Sequence, residues 1–150
     1  MSTAYDTYLE STILSADPLE LVAILYHAAL DRVGSAKTAL REGDIVRRSR
    51  EITRASEILN ELALALDHEQ GGDFSRNLAE LYDYMQRRMI EANCTQTIEP
   101  LDEVTRLLLT LREGWDSCRK SLRPRPETPR YQGYHPIEAP AEYSPLSVTA

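Results

Sequence analysis

Leu101, Val104, Leu108, Leu111, Trp115, Cys118 and Leu122 recur at alternating intervals of three and four residues behind Pro100. That repeat is a heptad seam, the apolar stripe of a helix that packs along its length against other helices. One such stripe cannot cover itself, so the remainder of the chain has to supply complementary faces.

Three other segments do so. Asp17 stands where a helix N-cap accepts a first-turn amide, Pro18 occupies the first helical position at no hydrogen-bond cost, and Glu20 faces the positive end of the dipole. The helix this predicts runs from about Pro18 to Leu40, stops before Gly43, and carries Val22, Tyr26, Ala29, Val33, Ala36 and Leu40 as its seam. A second helix starts at the cap-like Asp44, turns Ile45, Ile52, Ala55, Leu59, Leu62 and Leu66 inward, and ends at Asp67. Its outer face holds Arg47, Arg48, Arg50 and Arg54, and the spacing of Arg47 and Glu51 predicts an ion pair on a solvated surface. A third helix is expected after Gly71 and Gly72, with Asp73 as N-cap. Phe74, Leu78, Leu81, Met85 and Ala92 form its stripe, and Tyr82 and Met89 widen the edge. Four long helices with short connections predict an all-α fold, an antiparallel up-and-down four-helix bundle.

The bundle accounts for residues 17–123. Before it, residues 1–16 form a mobile segment in which Tyr5, Tyr8, Leu9, Thr12 and Ile13 give an apolar edge to a helix too short to be stable alone. After it, six of the eight prolines fall between Pro124 and Ala150 with no apolar period, so that stretch reads as a disordered tail. A net charge of −7 argues against a nucleic-acid partner, whose binding needs cationic neutralisation of phosphate. The absence of a long apolar run argues against membrane insertion, and the absence of a leader pattern places the protein in the cytoplasm.

The pattern offers no chemistry. None of His27, His68 and His135 has a glutamate three residues before it, so the di-iron spacing of helical bundles is missing, and no nucleophile sits beside a base. No metal, cofactor or enzymatic activity is expected. Cys94 near a turn and Cys118 well into the next helix would lie about 27 Å apart, too far for a disulfide. What the sequence does leave over is apolar surface: Leu21, Ile24, Leu25 and Ala28 lie off the seam of the helix from Pro18. The segment containing Tyr5, Tyr8, Leu9 and Ile13 is the nearest candidate to cover it.

The runs Ser15–Leu30 (SADPLELVAILYHAAL), Leu66–Gly72 (LDHEQGG), Asn77–Asn93 (NLAELYDYMQRRMIEAN) and Arg112–Trp115 (REGW) follow one another in the order and spacing of the flagellin-specific export chaperones, and the chain resembles that FliS family from Ala4 to Trp115. The resemblance implies a cytoplasmic chaperone that binds the C-terminal segment of flagellin, prevents premature polymerisation and aids delivery to the flagellar type III export gate. A regulatory adaptor of the same fold, serving another flagellar protein, is the alternative. Leu21, Ile24, Leu25, Tyr82, Met85 and Met89 are then the candidate client contacts, although the bundle seam has first claim on Met85. Tyr5, Tyr8, Leu9 and Ile13 are candidates for occluding that surface, and Tyr5 matches the family tyrosine implicated at the export gate. Whether the protein forms a homodimer is left open, as is any role of the tail.

Overall fold

The computed structural model describes residues 3–15 and 17–122, with the side chains of residues 3, 12–15 and 122 outside that description. Among the described residues all regular structure is helical: α1 (Thr3–Ser15), α2 (Pro18–Glu42), α3 (Ile45–Leu64), α4 (His68–Thr95) and α5 (Glu99–Leu122). The expected tail, Pro124–Ala150, lies outside the described residues. The chain divides into two compact units, Met1–Arg119 and Lys120–Ala150, and the helical bundle belongs to the first.

Local chemistry sets most helix ends. Asp17, in extended backbone, accepts the Glu20 amide at 2.8 Å, and Pro18 opens α2. Gly43 closes it at φ 72°, a left-handed conformation that glycine adopts without a Cβ clash, while the Asp44 amide returns to the Ala39 carbonyl at 2.9 Å. Asp44 then caps α3 through the Arg47 amide.

The start of α4 differs from expectation. Asp67, not Asp73, is the cap, accepting the Glu69 and Gln70 amides, so the helix opens at His68 and Asp67 begins it instead of ending the one before. One turn follows before Gly72 breaks the path at φ 51°, ψ −127°. Gly71 is pressed against the Ser75 side chain, whose hydroxyl donates to the Asp67 carbonyl and ties the turn to the main helix. Asp73 is free to pair with Arg76 on the surface.

The four long helices form the bundle, each antiparallel to its neighbours. Arg32 meets Glu51 between α2 and α3, Asn60 meets Gln86 between α3 and α4, and Arg88 meets Glu103 between α4 and α5. The ring closes where Lys37 pairs with Asp102 at 2.9 Å and, at the other end, the Trp115 indole donates to the Leu19 carbonyl. Inside lie Tyr26, Ala29, Val33, Ala36, Ile52, Leu59, Leu62, Met85, Met89, Leu101, Val104 and Leu108. Each large aliphatic side chain so buried contributes roughly 1.5–3 kcal/mol.

The seam of α4 differs in phase from the stripe anticipated. Leu78, Tyr82, Met85, Met89 and Ala92 face inward, alternating four and three residues apart, so Tyr82 and Met89 stand at the centre of the seam. Phe74, four residues before Leu78 on the same face, is nonetheless 69% exposed, near the start of α4. Ile45, at the first turn of α3 beside the α2–α3 connection, is exposed too.

The arginine face of α3 is also not a uniformly solvated surface. Arg48 is buried, donating from Nε to the Asn93 side chain at 2.8 Å and from Nη2 to the Asn93 carbonyl, while the Ser49 hydroxyl reaches the same side-chain oxygen. This pins the start of α3 to the end of α4. Glu51 is buried against Arg32, and Arg47 pairs with Glu42 in its place. Asp83–Arg87 and Arg88–Glu91 form on α4 as the spacing predicts, and both cysteines are free and exposed.

Candidate docking clefts

Two apolar clefts open at the surface of the bundle. The first, of about 500 Å³, lies between α1 and α2, where Tyr5, Tyr8 and Leu9 approach Ala23, Ile24 and Ala28. At 13 residues, α1 is too short to hold a helix in water unaided. What keeps it in place is charge and stacking. The Asp6 carboxylate accepts from Arg32 of α2 at 2.6 Å and from Arg54 of α3 at 3.2 Å, bridging both helices. Arg32, whose side chain is 11% exposed, also donates to Glu51 at 3.1 Å and lies over the Tyr5 ring, 5.3 Å from its centroid. Burial weakens that guanidinium as a cation, but the Glu51 and Asp6 carboxylates outweigh it and raise its pKa. The Tyr5 hydroxyl donates to Asp31 at 3.0 Å, and partial burial together with that carboxylate pushes the phenol above its ordinary range.

The second cleft, of about 440 Å³, lies at the end of the bundle where α3 gives way to α4. Val22, Leu66, Leu78, Leu111 and Trp115 line it, and Phe74 stands at its edge. Tyr26 and Tyr82 meet at its base, their hydroxyl oxygens 2.5 Å apart. Burial raises both phenols, with the hydrogen bond opposing the rise at Tyr26 and adding to it at Tyr82.

The residues singled out from the sequence divide between these places. Ile24 meets Tyr5, Tyr8 and Leu9 in the first cleft, and Tyr82 reaches the second. Leu21 packs partly buried against the core. Leu25, Met85 and Met89 are core residues and offer a partner no surface in this conformation: Met85 and Met89 stand on the seam of α4, and Leu25, although off the seam of α2, is buried in the same cluster. The side chain of Ile13 falls outside the described residues. Missed altogether were Phe74 and Trp115 as cleft residues and the Asp6–Arg32–Glu51 cluster. The one available signal for the cluster was an arginine set between Ala29 and Val33 on an apolar helix face.

Among the described residues no three histidine, cysteine, aspartate or glutamate side chains gather as metal ligands, and no helix is long and apolar enough to cross a membrane. The fold and clefts thus define a class: an all-α bundle with an added N-terminal helix and unfilled apolar surface. Residues 1–122 match the family described as flagellar protein FliS, and the chain belongs to that family. It is 37% identical over 108 residues to the flagellar secretion chaperone FliS of Salmonella typhimurium, covering 71% of this chain and 80% of the relative. The flagellar secretion chaperone FliSB of Pseudomonas aeruginosa is 37% identical over 108 residues, 72% of this chain and 86% of its own. The Bacillus subtilis flagellar secretion chaperone FliS is 29% identical over 119 residues, 79% and 88% of the two chains.

Proposed function

We propose that this protein is a cytoplasmic export chaperone of the flagellum whose client is the C-terminal segment of flagellin. The observation that carries the reading is the apolar cleft bounded by Leu66, Leu78, Leu111 and Trp115 with Phe74 exposed beside it, in a chain whose relatives are named flagellar secretion chaperones. A monomeric soluble domain gains nothing from leaving such surface open unless something docks there. An amphipathic client helix laid into the cleft hides its own apolar face, and so cannot polymerise early. Folding the client on binding costs about 2–5 kcal/mol of the gross interaction, which keeps the complex releasable. The seat under α1 is a second client surface: Leu21 and Ile24 become available when Tyr5, Tyr8 and Leu9 leave, and the freed N-terminal segment, with Tyr5, is what the export gate reads.

Calorimetric titration of the purified protein with the C-terminal segment of its own flagellin, and with the N-terminal segment as control, tests this. One-to-one binding confined to the C-terminal segment, with a negative heat-capacity change and gained helicity, is expected. Absence of binding would transfer the reading to a regulatory adaptor for another flagellar protein.

A further inference from the structure

The contacts that hold α1 are more selective than an apolar strap requires. Asp6 is the only carboxylate that pairs with Arg54 among the described residues, and it is one of two that share Arg32. Glu51, its side chain only 7% exposed, is committed below Arg32. Glu57 borders the same hollow without pairing to either arginine. Lifting α1 therefore leaves a nearly buried guanidinium with one partner in place of two, and a second guanidinium with none. Such a seat discriminates against a purely apolar helix, since a charged donor left without its acceptor is costly. Leu9, three residues after the acid and on the same side of α1, borders both this hollow and the adjoining cleft, and Tyr8, two residues after it, lines the rim of that cleft and is 70% exposed.

We infer that this seat selects its occupant by charge: the segment that replaces α1 is an amphipathic helix with one carboxylate at the place of Asp6, followed two and three residues later by large apolar side chains. This rests on the chaperone reading, in which a client displaces α1, and it specifies the chemistry of that client. The seat is a template already occupied by its own example. Thr3–Ser15 is a weak helix with the required acid and apolar pair, tethered close enough to refill the site when the client departs.

The test uses the full-length protein and the C-terminal segment of flagellin in which each aspartate and glutamate is changed singly to its amide. One such change is expected to weaken binding about tenfold to the wild-type chain and to have little effect on the Arg54→Gln chain, a coupling that a position elsewhere in the interface would not show. In the free protein, Asp6→Asn is expected to speed amide exchange across Thr3–Ser15 about tenfold and leave exchange in α2–α5 unchanged. Binding in which no carboxylate couples to Arg54 overturns the inference and leaves the chaperone reading standing. Unaltered exchange of α1 in Asp6→Asn overturns it as well. Failure of the unaltered segment to bind removes the chaperone reading and this partner with it. A wild-type chain that sediments as a dimer, and as a monomer once Asp6→Asn is introduced, would assign the seat to α1 of a second copy and overturn the inference too.

Discussion

Replacing Tyr82 with phenylalanine removes one oxygen and leaves the ring volume in place, so its cost isolates the hydroxyl pair. Tyr26 and Tyr82 are 3% and 2% exposed, and their oxygens lie 2.5 Å apart. Either single change strands the other hydroxyl at a largely desolvated position, a loss of about 1–3 kcal/mol. The double change Tyr26→Phe with Tyr82→Phe strands nothing, because both partners become apolar together. It should lie within about 1 kcal/mol of the wild type, giving a coupling of about 1–6 kcal/mol, the two single losses together less the small double loss, with the sign that makes the second substitution restorative. Urea denaturation followed by helical circular dichroism at pH 7 measures all four proteins of the cycle. The pair makes a second demand on the same samples. Both phenols titrate above the unfolded value of about 10, so their contribution is fully present below pH 10 and is lost as pH rises from there through the folded values. The wild type should lose stability above pH 10 more steeply than the double variant. Additive single losses, or identical alkaline limbs, would refute the reasoning.

Met89→Ala, which empties a fully buried place on the α4 seam, should cost about 2–5 kcal/mol in the same denaturation assay. Gly72→Ala meets no neighbouring atom within 4 Å yet forces an L-residue to φ 51°, ψ −127°, a region nearly confined to glycine, so a loss of roughly 1–3 kcal/mol from backbone conformation alone is expected, read as a lowered urea midpoint. Lys37 holds the Asp102 carboxyl below its usual range by hydrogen bond and charge. The stabilisation this gives is present above the unfolded value of about 3.9 and lost as pH falls through the lower folded value, so Lys37→Met should flatten the acid limb of urea midpoints measured from pH 5 to pH 2.

What could be read from the sequence was what is decided locally. Asp17-Pro18 and Gly43 fix the two ends of α2 within a few residues of backbone, and the seam of α5 from Leu101 to Leu108 needs only its own periodicity. Ambiguity entered where two local signals competed. Asp67 and Asp73 both offered a cap before the same helix, and a stripe drawn through Leu81 left Tyr82 and Met89 on its edge, where the neighbouring helices bury both. The candidate site was less legible, since it depends on pairings far apart in sequence. Neither Arg48 with Asn93 nor Asp6 with Arg32 and Arg54 follows from helical spacing, which tells a charge's neighbours along one helix and nothing about those across a bundle. Ile24 beside Tyr5, Tyr8 and Leu9 was legible because α1 and α2 are joined almost directly, and the shortest connection makes the adjacent helix the covering one.

Closure of the ring also sets an order of events during synthesis. α2 with α3, α3 with α4 and α4 with α5 are neighbours in sequence and can pair as each emerges, whereas α2 with α5 joins residues as far apart as Leu19 and Trp115. Local pairings form first and distant ones wait on loop closure. Until α5 has left the ribosome, the seams of α2 and α4 have an uncovered side, and the nascent chain is itself exposed to aggregation. Arrival of α5 therefore acts as the commitment step of bundle folding, and a chain interrupted within it should be cleared by proteases, not stored.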